Sequence, residues 1–391
     1  MTGVRADASL AGLRAALTAG VEAELDAAIA LRHELHAEPD LSGSEERTAQ
    51  RVAAALGEPA AARVAGPGRL VRIGPPDGPS VGVRAELDAL PVTEQTGVPW
   101  AAPAGAMHAC GHDVHLAALI ALARAARSIE LPAALLAVLQ PREEVSPSGA
   151  RDIVASAELP AQRLRAMVGV HLQHALPGGT VAATPGTVNA ATDDFEIIVT
   201  GTAGHAGYPH LAVNPIPALC AAVLALQQIA SRVIDPTHAV VASVGAIESG
   251  RAANVIPETA RARGSLRCLD DDDRPRLRRA LREIAEHTCR GYGCAVEVII
   301  HDGEPPLVND PALAAASWPW LDRAGFAVAS EFRSCGADDF SYYSQVAPAL
   351  MLFVGTPDAI TLHHPKFLPP DEAVGQVAAA MIAGYLAGLT I

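Results

Sequence analysis

The stretch "VHLAALIALARAARSIELPAALLAVLQPREEV" (Val114 to Val145) carries the reading of the fold. Val114 to Ile129 has the length and apolar spacing of a buried helix. Ala133 to Gln140 is a short, unbroken apolar run bounded by Pro132 and Pro141. Such a run, with no polar alternation, suits a strand buried on both faces, as in a parallel sheet. Two acidic side chains, Glu143 and Glu144, follow at once. "RAMVGVHL" (Arg165 to Leu172) is a second run of this kind, with a helix expected around Gly149 to Ala157 between the two. Upstream, residues from about Ala8 to Leu56 read as helices broken at "PDLSGSEE" (Pro39 to Glu46), where Ser42 or Ser44 suits the N-cap of the second helix. "RLVRIG" (Arg69 to Gly74), a Pro/Gly turn and "VGVRAEL" (Val81 to Leu87) read as a hairpin. Strands alternating with helices imply a three-layer α/β domain with a mixed, largely parallel sheet.

Near Asp193 the pattern changes. "FEIIVTG" (Phe195 to Gly201), "HAVVASVGAI" (His238 to Ile247), "TARARGSLRCL" (Thr259 to Leu269) and "AVEVII" (Ala295 to Ile300) read as strands. A helix from Asn214 to Ser231 and an amphipathic one from Asp273 to Arg290 lie between them. The order β-α-β-β-α-β matches the ferredoxin-like split unit. The expected organisation is one domain from 1–190 and 304–391, interrupted by an inserted α+β domain at 191–303.

The chain has 391 residues, half of them hydrophobic, and a formal net charge of −14. That balance argues against nucleic-acid and anionic-membrane partners, which select basic surfaces. Arg5, Asp7 and Arg14 interrupt any secretory h-region, and no window is apolar enough for a membrane span. A cytoplasmic protein is expected. The six cysteines are scattered, with no C-x-x-C pair, and are expected to be reduced.

Three presumed strands lead into metal-ligating side chains: "MHACGHDVH" (Met107 to His115), "LQPREEV" (Leu139 to Val145) and "GVHLQH" (Gly169 to His174). "LHHP" (Leu362 to Pro365) adds a fourth group. In open α/β sheets, loops beyond the carboxyl ends of strands converge. Cys, His, Glu and His at such positions form a donor set suited to Zn²⁺ or a related ion. Two such ions ~3.5–4 Å apart can polarise a carbonyl and activate a water between them. One of two adjacent carboxylates can then bind metal while the other moves a proton. Pro141 and Pro147 would kink that loop. Two other motifs fare worse. Ser80 in "GPSVG" precedes its strand, whereas a nucleophile elbow follows one. "GTAGHAG" (Gly201 to Gly207) lacks the spacing and lysine of a nucleotide loop.

With "RHELHAEPDLSGSEERTA", "VRAELDALPVTEQTGVPW", "MHACGHDVH", "LQPREEVSPSGAR", "VHLQHALPGG", "GTAGHAGYPHLAVNPI", "NVIPETARARGSLR", "GADDFSYY" and "LHHPKF" in order, the chain resembles the dinuclear metal-dependent aminoacylase/carboxypeptidase family. Within it, the chain is most similar to the amidohydrolase branch of hippurate hydrolases, N-acyl-amino-acid deacylases and hydrolases of auxin conjugates. The resemblance implies two divalent ions per subunit, Zn²⁺ or Mn²⁺, with Co²⁺ or Ni²⁺ as other choices. It implies Cys110 as a bridging, ionised thiolate, with His112, Glu144, His171 and His363 completing the shell. His363 is favoured over His364. Glu143 would be general base and proton donor, and Asp88 would orient a metal ligand. The inserted domain would be a lid and dimerisation domain. Its His205 would reach a partner subunit's site to stabilise the oxyanion, and Asn254 and Arg267 would hold a substrate carboxylate. His108 and His115 are read as structural neighbours.

Four departures stand out against the branch pattern: Glu86 for an aspartate, Arg142 for a small residue, Asp338 for a glutamate and His174 for an asparagine. Arg142, beside the expected base, would act on its pKa or on the acyl pocket. The implied activity is hydrolysis of the amide of an N-acyl amino acid to a carboxylic acid and a free amino acid. A dipeptidase or carboxypeptidase of the same family is the nearest alternative. A non-catalytic metal-binding dimer and a serine esterase using Ser80 are more distant ones.

Overall fold

The computed structural model describes residues 2–58, 61–103, 105–357 and 360–391. The chain opens with α1 (Thr2–Ala37) and α2 (Glu46–Ala55) and continues through β1 (Arg63–Val64), β2 (Gly68–Ile73), β3 (Ser80–Glu86), α3 (His112–Arg127), β4 (Ala134–Gln140), α4 (Gly149–Val154), α5 (Glu158–Ala161), β5 (Leu164–Gln173) and β6 (Thr180–Ala182). After β7 (Gly186–Asn189) come β8 (Ala191–Thr200), β9 (Gly204–His205), α6 (Pro215–Leu226), β10 (Val240–Ser249), β11 (Val255–Ile256), β12 (Thr259–Cys268), α7 (Arg274–Gly291) and β13 (Ala295–Asp302). The chain closes with β14 (Leu307–Asn309), α8 (Pro311–Arg323), β15 (Ala327–Ala329), β16 (Ala349–Gly355) and α9 (Glu372–Gly388). It divides into two compact units. One is Met1–Gly186 with Val308–Phe332 and Asp339–Ile391; the other is Thr187–Leu307 with Arg333–Asp338.

The first unit is a mixed α/β body. Its eight-stranded sheet runs β1-β2-β4-β3-β5-β16-β6-β15. The four central neighbours β4, β3, β5 and β16 are all parallel. β2 joins β4 antiparallel, and β6 joins β16 antiparallel. Consecutive residues of a strand point to opposite faces. Val168 of β5 lies against Gly384 of α9, and the next residue, Gly169, lies against Phe340 and Met351. Both faces of the sheet are therefore covered. On one of them α1, α3 and α9 share a single apolar core with the strands. Every residue of α3 but Arg124 and Arg127 is buried.

Two local expectations fail. The hairpin expected over residues 69–87 does not form, because β4 lies between β2 and β3 and pairs with both. β4 is buried along its whole length, so a central position satisfies its backbone and its side chains together. The turn between β2 and β3 is instead pinned by Arg72, which donates to the carbonyls of Pro75 and Gly78 at 2.8 Å and to that of Gln162 at 3.1 Å. Neither Ser42 nor Ser44 caps α2. The capping position is Glu45, without a side-chain cap bond. The tight turn at Gly43, φ +85°, points Ser42 inward, where its hydroxyl donates to Asp88 Oδ2 at 2.6 Å.

The second unit orders its strands β10-β12-β8-β13, every neighbour antiparallel. Phe195, Ile197 and Val199 alternate inward along β8 and pack with Leu219 and Ala222 of α6 and Leu277 and Leu281 of α7. Asn214 caps α6 by accepting the Ile216 amide at 3.1 Å, with Pro215 in the first turn. Asp193 is buried at the start of β8 and gathers Arg274 (2.7 Å) and Arg278 (2.5 Å) of α7. Among the described residues no helix is long and apolar enough to cross a membrane.

Candidate metal centre and active site

The first unit brings four chain segments together by one rule: each lies at or beyond the carboxyl end of one of the four central parallel strands. After β3 come Asp88, Cys110 and His112. Glu143 and Glu144 follow β4. His171 lies near the end of β5, and His363 follows β16. The metal-capable atoms of Cys110, His112 and Glu144 all lie within 4.8 Å of one another.

His112 and His171 are each oriented by the nitrogen that faces away from the cluster. His112 donates from Nδ1–H to the Asp88 carbonyl at 2.8 Å. Its Nε2 is left buried without a hydrogen-bond partner, 3.8 Å from Glu143 Oε2 and 4.0 Å from Glu144 Oε1. His171 donates from Nδ1–H to the Leu172 carbonyl at 2.7 Å, and its Nε2 lies 3.4 Å from Cys110 Sγ. His363 sits at φ +66° with its amide on the Ala109 carbonyl (2.8 Å), and its Nε2 is 3.4 Å from Glu144 Oε1. His364 instead accepts the Lys366 amide on Nδ1 at 3.1 Å. Glu144 Oε1 is likewise buried without a hydrogen-bond partner.

The electrostatics ask for a cation. Burial alone would lower His112, yet the charges of Glu86, Asp88 and Glu144 outweigh it and raise the imidazole to about 10. Burial raises Asp88, but His112, Ser42 and the Glu144 amide more than offset that and hold it below the usual range. Burial, then the neighbouring Glu144 and Glu143, push the Cys110 thiol well above its ordinary value. Cys110 is therefore a thiol in the metal-free chain, and the thiolate expected of a bridging ligand needs a cation beside it.

Glu86 and His115 stand close to these groups, and Glu86, His112, His115 and His171 form a second set of buried metal-capable side chains. Both nitrogens of His115 are occupied, however. Nδ1–H donates to Glu86 Oε2 at 2.9 Å, and Nε2 accepts the Leu172 amide at 3.1 Å. Glu86 also pairs with Arg84, whose other donors reach Gln140 Oε1 (3.0 Å) and Asp339 Oδ1 (2.7 Å). This buried polar strut was not visible in the sequence, apart from Glu86 itself as an unexplained substitution. His108 is buried with neither ring nitrogen bonded, and burial lowers it to about 4.

Arg142 precedes the paired glutamates at φ +53°, a left-handed conformation that costs an L-residue roughly 1–2 kcal/mol. Its guanidinium is engaged by Asp152 (2.6 Å), the Pro147 carbonyl (3.0 Å) and the Ala65 carbonyl (3.3 Å). Its side chain thus ties the loop together. Ser80 is buried at the amino end of β3, its hydroxyl donating to the Gln162 carbonyl at 2.7 Å. A nucleophile there would be inaccessible, which removes the serine-esterase alternative.

In the second unit His205 and Asn254 are brought together. β9 pairs with β11 through His205 opposite Val255, and the Ala206 amide donates to the Asn254 carbonyl at 3.0 Å. His205 is exposed, and its Nδ1 accepts the Gly207 amide at 3.0 Å. This ribbon prolongs the β8/β12 ladder beyond Thr200 and Thr259. Arg267 lies at the other end of β12, opposite Thr192, and donates to the Cys335 carbonyl at 3.0 Å. At ~3.3 Å per residue it is roughly 26 Å along the strand from Thr259. His205 and Arg267 of one chain are too far apart to hold one small ligand.

A model of peptidase family M20/M25/M40 matches residues 82–387. The chain belongs to that family. Among M20-type relatives it is 33% identical over 354 residues to an N-acetylcysteine deacetylase of Bacillus subtilis, covering 88% of this chain and 92% of the relative. It is 36% identical over 301 residues to an N-acetyldiaminopimelate deacetylase of Listeria monocytogenes, covering 75% and 80%. Among solved structures, a dinuclear metal-binding M20 peptidase from Bacillus subtilis superposes with a TM-score of 0.80 at 30% identity, covering 94% and 98%. The residues present here fit such a metal: His112 Nε2 and Glu144 Oε1 are buried without hydrogen-bond partners, and the surrounding set is sulfur, imidazole and carboxylate.

Proposed function

We propose that this M20 protein hydrolyses the amide bond of small N-acyl amino acids, releasing a carboxylic acid and a free amino acid. One observation carries the reading. The ligand atoms of Cys110, His112 and Glu144 converge within 4.8 Å, with Glu143 Oε2 3.8 Å from His112 Nε2. Deacetylases of N-acetylcysteine and N-acetyldiaminopimelate among the relatives support the substrate class.

Cys110, His112, Glu144, His171 and His363 would hold two divalent ions, Zn²⁺ or Mn²⁺ in first place. Such ions polarise the acyl carbonyl and acidify the attacking water. Glu143 takes the proton from that water as the new C–O bond forms. It returns the proton to the amide nitrogen as the C–N bond breaks and the amine leaves. Asp88 keeps His112 and the Glu144 backbone in position throughout.

The second unit acts in this reading as a ferredoxin-like lid and dimerisation domain. His205 donates to the developing oxyanion in the partner subunit, a contact typically worth ~2.7–4 kcal/mol. Arg267 holds the substrate's carboxylate with its guanidinium fork, and Asn254, which sits beside His205, joins it from the partner subunit. The separation of His205 from Arg267 along the ladder supports supply from two chains. Six cysteines, none bonded to another among the described residues, fit a reducing, cytoplasmic setting.

The test is a substrate screen of N-acetyl, N-benzoyl, indole-acetyl and dipeptide compounds on enzyme reloaded with Zn²⁺, Mn²⁺ or Co²⁺. Chelator-sensitive hydrolysis of an N-acyl amino acid is expected. Turnover of dipeptides alone would favour the peptidase alternative, and metal binding without any hydrolysis would favour the non-catalytic one.

A further inference from the structure

The paired glutamates leave β4 through a kink, and the kink is at Arg142. An L-residue at φ +53° does not stay there unaided. Its carbonyl accepts the Gly149 amide at 3.0 Å. Its amide donates to Glu45 Oε1 at 2.8 Å, an oxygen that also accepts the Gly43 amide at 2.8 Å. Glu45 belongs to a different part of the chain, the turn before α2, and is fully buried. Its second oxygen is buried with no hydrogen-bond partner. A carboxylate is costly to bury, and here it is spent on two backbone amides. From the same turn Ser42 donates to Asp88 Oδ2, the oxygen that accepts the Glu144 amide. One short turn thus grips the segments carrying Asp88 and the paired glutamates.

We propose that Glu45 is a positioning residue for Glu143 and Glu144: by accepting the Arg142 amide it holds the left-handed kink that turns both carboxylates toward the metal ligands. This rests on reading Glu144 as a ligand and Glu143 as the base. What matters is the reach of an acceptor oxygen. Glutamine keeps that oxygen in place without a charge. Aspartate keeps the charge but falls one methylene short. Glycine at 142 adopts positive φ without help.

The experiment compares full-length wild type with Glu45→Gln, Glu45→Asp, Glu45→Ala, Glu45→Ala/Arg142→Gly and Glu45→Ala/Arg142→Ala. Circular dichroism establishes folding. Calorimetric titration of the chelator-stripped protein with Zn²⁺ gives metal affinity, and steady-state kinetics on the best substrate of the screen give kcat and KM. Glu45→Ala should weaken Zn²⁺ binding about tenfold, the lower end for a residue supporting a ligand, and lower kcat more than it raises KM. Glu45→Gln should stay closer to wild type than Glu45→Asp. In the alanine background Arg142→Gly should keep more Zn²⁺ affinity and kcat than a matched Arg142→Ala, which loses the same guanidinium contacts but is not at ease at positive φ. Folded Glu45→Ala with wild-type affinity and kcat, aspartate outperforming glutamine, or Arg142→Gly no better than Arg142→Ala would each overturn the proposal. If the alanine variant does not fold, the order of glutamine and aspartate decides. A wild type inert toward every N-acyl amino acid would sink the functional reading, and the Zn²⁺ affinities would still decide the role of Glu45.

Discussion

The Glu144 amide donates to Asp88 Oδ2 at 2.9 Å, while the Asp88 carbonyl accepts His112 Nδ1–H at 2.8 Å. One residue thereby aligns a carboxylate and an imidazole that arrive from two different strands. Asp88→Ala should weaken Zn²⁺ binding by about 10–100-fold, with the fold retained. Competition against a chromogenic chelator measures this. Unchanged affinity would mean that the Asp88 carboxylate is not needed to hold the Glu144 segment, since the substitution leaves the backbone carbonyl on His112.

Glu143 has a different task and should separate from Glu144 in mutants. Glu143→Gln should keep its metal and lose turnover by about 10²–10⁴-fold, the range of general acid–base catalysis. Metal analysis and steady-state rates on one preparation check both halves. Wild-type turnover in this variant would remove Glu143 from the chemistry.

If His205 serves the partner's site, two inactive chains can complement each other. His205→Ala and Glu143→Gln chains should recover activity when mixed, because a hybrid dimer holds one site with an intact Glu143 and an intact His205. Subunit exchange is followed with two affinity tags. Exchange without recovered activity would return His205 to its own chain.

Asp193 offers a stability test independent of catalysis. Burial raises its carboxyl, but Arg278 and Arg274 outweigh that and hold it below the usual range. A carboxylate depressed in this way stabilises the fold above its unfolded value of ~3.9, and the contribution fades as pH falls through the folded value. Asp193→Asn should cost about 2–3 kcal/mol at neutral pH, as for hydrogen bonds to a charged group. Urea unfolding should show the gap narrowing in acid. A gap that is constant with pH would mean that the loss is one of packing and not of charge.

The second unit's order of strands and helices was legible because strands such as β8 alternate residue by residue and α7 is amphipathic, so their periods can be read directly. The metal-capable residues were legible from their places at strand ends. The neighbour of β2 was not, since the adjacency of β4 is decided by burial across the whole sheet while a turn such as Pro75 to Ser80 speaks only for itself. The burial of Glu45 was not legible, because nothing local says that Gly43 will turn the segment inward. The left-handed Arg142 had no signal at all: glycine or asparagine would have announced the conformation, whereas arginine conceals it. The occupied nitrogens of His115, which separate it from His112 and His171, depend on a backbone amide in another strand.

His112 begins α3, the helix buried on almost every side. Amides so enclosed exchange with solvent only when the whole body opens, whereas exposed edges such as β10 breathe far more often. Deuterium uptake should thus be slowest along the helix that starts at His112. If these residues hold the metal as proposed, it would leave through fluctuations of the Glu144 and His363 loops long before the His112 anchor gives way.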